Sequence, residues 1–264
     1  GRTAIARSAT RYSITDFSGD LEVKIAVISD IHANFEALDR VLLEIAERNV
    51  DTIMCLGDIV GYNADPNPCV HTVKESGIPS LLGNHDAVAC GLEEPWGFNA
   101  VALTAALWTR NQLTEENTVF IRELPDKQLL DSAFLAVHGA PSDRDMYLFS
   151  MEDIRPEFDY LRQHGVSLCF FGHTHCQGIF SENGPCGPGE DGHFRLEESE
   201  LFFVNPGSVG QPRDGDARAA FAIYDAEVRD VELIRVEYDK KTTADKISQA
   251  GLPLFLAERL MMGR

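Results

Sequence analysis

The six cysteines, Cys55, Cys69, Cys90, Cys169, Cys176 and Cys186, include no C-x-x-C pair, which argues against a zinc ribbon or a thioredoxin-like redox site. Cys55 and Cys169 lie in apolar runs and read as core thiols, and a chain of 264 residues buries enough surface to need no disulfide staple. A reducing cytoplasm is the expected setting. No apolar run approaches the roughly 18 residues of a membrane span. Residues 1–20 carry three arginines but no apolar core of a secretory signal, and read as a poorly ordered extension. Basic residues are scarce: 23 Lys+Arg against 42 Asp+Glu give a formal net charge of −19. A field of that sign repels polyphosphate backbones, so long nucleic acid and anionic membranes are disfavoured as partners. A small phosphorylated substrate stays compatible if bound cations reverse the sign locally. The Gly/Pro-rich stretch 184–189 has no Lys-Ser/Thr and no following helix, so it fails as a phosphate-binding loop and reads as a mobile hairpin loop. No internal repeat and no linker divide residues 21–264, which read as one domain.

What the chain does have is a recurring β-branched or aromatic apolar run. Such runs cover 25–28, 52–56, 80–82, 133–137 and 167–171, then 177–180, 201–204, 219–224 and 231–236. The last of these alternates like an edge strand. Helical spacing of apolar positions covers 35–48, 69–76, 99–112, 114–124 (stopping at Pro125), 152–165 and 252–262. Strand, helix, strand, helix, strand is the pattern of a parallel α/β sheet. Residues 87–130 read as a helical excursion over one face, and 181–200 as a loop between two strands.

Five times an apolar run stops and coordinating side chains follow at once: Asp30/His32, Asp58, Asn84/His85, His138 and His173/His175. Residues two apart on a strand point the same way, so Asp30 and His32 are expected to reach one spot. Open α/β sheets place their sites outside the carboxyl ends of the strands. Gly57, Gly83, Gly139 and Gly172 sit beside four of these ends, where tight turns and close backbone approach need them. Singly, each position has a plainer reading, such as a helix cap at Asp30, a turn residue at Asn84 or a cap at His138. Together they outnumber the four or so ligands of one structural ion. They suit two ions sharing a carboxylate, an arrangement that clamps a phosphoryl group and activates water. Mixed His/Asp/Asn ligation without thiolate suits manganese, iron or zinc better than calcium or magnesium.

In order, D-x-H at Asp30–His32, G-D at Gly57-Asp58, G-N-H-D at Gly83–Asp86, H-G at His138-Gly139 and G-H-T-H at Gly172–His175 resemble the calcineurin-like metallophosphoesterase superfamily, over roughly residues 24–236. The stretch Asn205-Pro206-Gly207-Ser208-Val209-Gly210-Gln211-Pro212-Arg213 resembles its small prokaryotic phosphodiesterase or diadenosine-polyphosphate hydrolase branch. The resemblance implies an α/β fold, a four-layer α/β/β/α sandwich of two mixed sheets. It implies one metal on Asp30, His32, Asp58 and His175, and a second on Asp58, Asn84, His138 and His173. It also implies that His85 faces the leaving group and that Asp86 orients it. The implied activity is hydrolysis of a small phosphodiester or dinucleoside polyphosphate by a metal-activated hydroxide. A phosphomonoesterase, a phosphoprotein phosphatase or a non-catalytic scaffold of the same fold are the alternatives; a nuclease lacks a positive groove. An ordinary histidine pKa near neutrality suits His85.

Other positions keep two readings. Arg213 either reaches a substrate phosphate or pairs with Asp214 or Asp216. Tyr62 and Asn63 follow the Asp58 strand end closely enough to line the pocket. His71, His164 and His193 read as solvent-facing, Cys176 as a packed thiol, and Trp108 as core. Specificity is sought in 87–130 and in 141–150, because loops on a rigid scaffold carry it.

Overall fold

A computed structural model describes residues 23–130, 134–187, 189 and 192–264. The stretch 1–20, expected to be poorly ordered, and Ala133, expected to open a strand, lie outside the described residues. In chain order the elements are β1 (Lys24–Ile28), α1 (Phe35–Ala46), β2 (Thr52–Cys55), α2 (Pro66–Glu75), α3 (Asn84–Ala89), α4 (Ala100–Gln112) and α5 (Glu115–Arg122). Then come β3 (Lys127–Leu130), β4 (Phe134–Val137), α6 (Met151–Ile154), α7 (Glu157–His164), β5 (Leu168–Phe170), β6 (Gly178–Ser181) and β7 (Gly184–Cys186). The chain closes with β8 (His193–Arg195), β9 (Phe202–Asn205), β10 (Ala219–Asp225), β11 (Asp230–Val236), α8 (Lys240–Gln249) and α9 (Leu254–Met262).

Among the described residues the strands form two mixed sheets, ordered β2-β1-β10-β11-β8 and β3-β4-β5-β9-β6-β7. In the first, β1 runs parallel to β2 and antiparallel to β10; in the second, β4, β5 and β9 are parallel and their outer neighbours antiparallel. Alternation along the strands builds the layers. Ile25 and Val27 of β1 face the inter-sheet core with Phe134, Phe170, Phe202 and Tyr224, whereas Ala26 and Ile28 pack on α1 and α2 residues such as Leu38, Val41 and Val70. In the second sheet Leu135, Cys169 and Phe203 turn the other way, onto Ile154, Phe158 and Leu161 of α6 and α7. Strands covered on both faces read as unbroken apolar runs. The result is the four-layer α/β/β/α sandwich.

Several expectations change. Residues 80–82 contribute only a single parallel bridge, Cys55 to Ser80, because the run is pinched between Pro79 and the turn at Gly83. The helix expected over 152–165 breaks into α6 and α7 at Pro156, which lacks the N–H that would continue it. The excursion 87–130 ends in a strand, β3, paired antiparallel to β4. The 181–200 stretch is not loop throughout: β7 pairs with β6, and β8 pairs with β11. β11 is therefore no bare edge; β8 covers Asp230 to Glu232.

Candidate metal centre

The site lies where β1, β2, β4 and β5 end. Asp30 and His32 do not meet by strand alternation. Both residues lie beyond Ile28, the last of β1, and take the left-handed backbone, with φ of 53° and 47°. Asp58, His173 and His175 do the same, at 53°, 64° and 58°, and so does Tyr62 at 54°. Such backbones are costly for non-glycine residues and persist only where surrounding bonds over-determine them. Here they do: Asp30 N–H donates to Gly57 O (3.0 Å), His32 N–H to Asp58 O (2.8 Å) and Ala33 N–H to Ile59 O (2.9 Å). The loop after β9 closes the other side. Val209 N–H and Gly210 N–H donate to Ser29 O and Asp30 O (both 2.9 Å), and Ser208 Oγ to Asp30 O (2.8 Å). Buried Asn205 gives its amide to Gly172 O and Thr174 Oγ1, bracing the G-H-T-H turn. Glycines are required where backbones meet: a Cβ on Gly83 would fall on the Asp58 carboxylate, and one on Gly172 on Ser29 Oγ.

Two groups converge, Asp30/His32/His175 and Asp58/His138/His173, each with ligand atoms within 4.8 Å of one another and every member buried. Asn84 adjoins the second, its Oδ1 3.2 Å from His138 Nε2. Asp58 Oδ2 stands between the groups, 3.5 Å from His32 Nε2 and 3.4 Å from His138 Nε2. The outer atoms are all engaged. His32 Nδ1, His138 Nδ1 and His175 Nδ1 lie 3.1, 3.0 and 2.6 Å from the carbonyls of Val60, Leu56 and Gln211, and His173 Nε2 lies 3.1 Å from Asp145 O. A carbonyl can only accept, so each of these nitrogens carries a proton; the opposite nitrogens of His32, His173 and His175 turn lone pairs inward, and His138 Nε2 does so once it gives up its own proton to a cation. Asp30 Oδ2 and Asp58 Oδ1 accept from His173 N–H and His85 N–H, while Asp30 Oδ1 and Asp58 Oδ2 are buried with no hydrogen-bond partner. His32 Nε2 and His175 Nε2 stand 3.0 Å apart. Bare carboxylate oxygens and imidazole lone pairs pressed together repel unless a cation lies among them. The donor set fits metal ions.

Charge follows from the same packing. Burial, reinforced by neighbouring imidazoles, drives His173 down to about 3 and His32 well below the usual range. Burial and the Arg213 guanidinium lower His175. Burial also lowers His138, but the Asp58 carboxylate outweighs it and lifts that group to about 9. Asp30 and Asp58 feel the opposing burial penalty first, yet facing imidazoles hold both well below the ordinary carboxylate range.

The residues around this centre differ from expectation in three ways. His85 is packed among the rings of Tyr62 (4.4 Å), Phe98 (4.6 Å) and His32 (4.9 Å), its Nδ1 without a partner, and burial pushes it down to about 4 rather than leaving it near neutrality. Asp86 does not bond the His85 ring: its carboxylate accepts the backbone N–H groups of Ile59, Val60 and Gly83, so it orders the loop after β2. Asn63 is fully buried and donates its amide to His32 O (2.7 Å), holding that backbone instead of lining a pocket. Tyr62 does stand at the site, 4.6 Å from the His32 ring. The Arg213 guanidinium lies 5.4 Å over the Tyr62 ring, and its backbone N–H donates to His175 O (3.1 Å). The acids weighed as its partners are taken elsewhere, Asp214 by Arg235 and Asp216 by Arg218. His71, His164 and His193 are exposed, Cys176 is half-buried with Sγ on Thr174 O, and half-buried Trp108 packs with Leu256 and Leu260. A cavity of about 430 Å³ opens beside Asn84 and His173, walled by Glu93, Trp96 and Phe98 from one excursion and Tyr147 from the other. Tyr147 stacks on His173 at 3.8 Å, a contact that nothing in the sequence signals.

The family model for the calcineurin-like phosphoesterase superfamily domain matches residues 23–229. An uncharacterized protein of Methanocaldococcus jannaschii is 40% identical over 244 residues, spanning 91% of this chain and 98% of that one. A crystal structure of a metallophosphoesterase from Sphaerobacter thermophilus superposes with a TM-score of 0.80 at 35% identity, covering 92% of this chain and 99% of the other. A hypothetical protein of Pyrococcus horikoshii shares the fold, with a TM-score of 0.76 at 22% identity over 92% and 99% of the two chains. No helix among the described residues is long and apolar enough to cross a membrane.

Proposed function

The chain belongs to the calcineurin-like phosphoesterase superfamily, and on that premise we propose that it is a dinuclear-metal phosphoesterase acting on a small phosphodiester or dinucleoside polyphosphate. The observation that carries this reading is the pair of buried carboxylate oxygens, Asp30 Oδ1 and Asp58 Oδ2, left without hydrogen bonds among inward-turned imidazole nitrogens. Asp30, His32, His175 and Asp58 would hold one ion, and Asp58, Asn84, His138 and His173 the other. Manganese or iron suits these donors best, and zinc is compatible. Two bound cations supply charge neutralisation at phosphorus and acidify the attacking water.

The chain's own groups do the rest. Arg213, over the Tyr62 ring beside the centre, gives N–H donors to the non-bridging phosphate oxygens. His85 stays a neutral imidazole, so it assists the departing oxygen by giving it a hydrogen bond from its one protonated nitrogen. The rings of Tyr62, Phe98 and His32 fix its plane. No ligand position and no His85 is missing, which favours an enzyme over a scaffold. Hydrolysis of bis-p-nitrophenyl phosphate by metal-stripped protein, before and after Mn²⁺ is added, tests the reading. Metal-dependent turnover is expected; no turnover with Mn²⁺, Fe²⁺ or Zn²⁺ on folded, loaded protein contradicts it.

A further inference from the structure

Beyond residue 229, where the family match stops, α8 and α9 pack on α4 and on Tyr62 through Ile247, Leu252, Leu256 and Leu260. This packing delivers a second arginine to the metal centre's flank. Arg259 of α9 shares with Tyr62, Asn99, Val101 and Phe255 a cavity of about 330 Å³. Its Nε bonds the carbonyl of Arg264 and its guanidinium sits 5.5 Å over the Phe255 ring. Arg213, over the Tyr62 ring, donates Nη2 to Gln211 Oε1 (3.0 Å), meets the Tyr147 hydroxyl, and keeps a buried Nε with no acceptor. Among the described residues neither guanidinium pairs with an Asp or Glu side chain. The two are tied together, because Gly215 N–H, from the Arg213 loop, donates to Gly263 O (2.9 Å) just past α9. Gly263 also packs so closely on the Asp216 backbone that a Cβ would not fit.

Two half-buried like charges without an acidic side chain between them are costly, and a chain with 42 acidic residues has carboxylates to spare. The start of α4 borders the same cavity, but Asn99 Oδ1 already caps its Val101 and Ala102 N–H groups, so the charge there comes from the arginines. Burial and Arg213 push Arg259 down to about 10, which leaves it charged at neutral pH.

We propose that Arg213 and Arg259, both beside Tyr62, form a second anion subsite that takes another phosphate of a substrate whose scissile phosphorus lies at the metal centre. It rests on the dinuclear reading above and narrows it to substrates with two neighbouring phosphates. The reaction remains the addition of one water across one P–O bond, its oxygen ending on the centre-bound phosphorus and a proton on the departing oxygen.

The test is calorimetric titration of the Mn²⁺-loaded protein, at buffered free Mn²⁺, with orthophosphate and with methylenediphosphonate. The wild type is expected to bind the diphosphonate at least about tenfold more tightly, the worth of one charge-assisted contact. Arg259→Gln removes that preference and leaves metal content and orthophosphate affinity within about threefold, and Arg259→Lys restores part of it. An equal preference in wild type and Arg259→Gln, or none in the wild type, overturns the subsite. The titration needs no turnover. A protein that keeps the Arg259-dependent preference but hydrolyses nothing sinks the hydrolase reading instead.

Discussion

At the scale of single residues, His138 and His85 have been pushed in opposite directions by one carboxylate and one pocket. His138 Nε2 faces both Asp58 Oδ2 and Asn84 Oδ1, two acceptors, and a proton on that nitrogen reconciles them. With its pKa lifted to about 9, His138 is protonated in metal-free protein at pH 7, and a cation entering that half must displace the proton. The sign follows: affinity for that ion rises with pH, about tenfold per unit, and levels off above about 9. Titration with Mn²⁺ at pH 7 in two buffers of different ionisation enthalpy should show about one proton released per chain; no release contradicts the assignment. His85, in contrast, is lowered to about 4 by burial, so it is neutral throughout pH 5–8 and adds no ionisation near 6.5 to the rate profile. Its side chain touches no candidate ligand oxygen, and its backbone N–H, which does bond Asp58, survives substitution. His85→Ala should therefore lower kcat by about 10²–10⁴-fold while elemental analysis finds unchanged metal. Metal lost together with activity would move His85 into the coordination sphere.

At the scale of elements, the turn at the start of α3 decides where Asp58 points. A Cβ on Gly83 would fall on the Asp58 carboxylate, and the Gly83 N–H is held by Asp86. Gly83→Ala should displace Asp58, lose the second ion and reduce turnover at least about tenfold to a hundredfold, as disturbing a ligand's support does, with the chain still folded by circular dichroism. Wild-type metal content in that variant would show that the contact is slack. The strand runs were legible in the sequence because β1, β2, β4, β5 and β9 are covered on both faces, leaving long apolar stretches that stop where coordinating residues begin. α3 was not, since six residues, Asn84–Ala89, are too few to show a helical period. α8 was hidden for another reason: its Lys, Thr and Asp residues bury only Thr243 and Ile247. The left-handed backbones of Asp30, His32, Asp58, His173 and His175 leave no local trace, because distant carbonyls and N–H groups impose them. Strand alternation brought Asp30 and His32 together in the sequence reading for the wrong geometric reason. Asn63 and Asp86 were misassigned likewise: both sit beside the site, and both spend their polar atoms on backbone. Arg259 lies some 45 residues from the nearest marked position, and only the packing of α9 brings it to Tyr62.

At the scale of the whole molecule, two mixed sheets packed face to face through Phe134, Phe170, Phe202 and Tyr224 give four strand ends that open at one edge. The first sheet supplies Asp30, His32 and Asp58, the second His138, His173 and His175, so the centre is a seam between sheets. Each half is incomplete without the other, and Asp58 is the group that faces both. An overall charge of −19 surrounds a centre whose donors call for cations and beside which Arg213 stands over Tyr62, a balance in keeping with the proposed choice of a small anion over a long polyanion. The most direct measurement is turnover of bis-p-nitrophenyl phosphate as Mn²⁺ is added in known equivalents to metal-free wild type and Asp58→Asn, with bound metal measured alongside. The account predicts a rise that saturates at about two bound ions per chain, and in the variant fewer than two ions and loss of turnover. Full activity at one ion, or two ions and full activity in Asp58→Asn, would contradict a shared dinuclear centre.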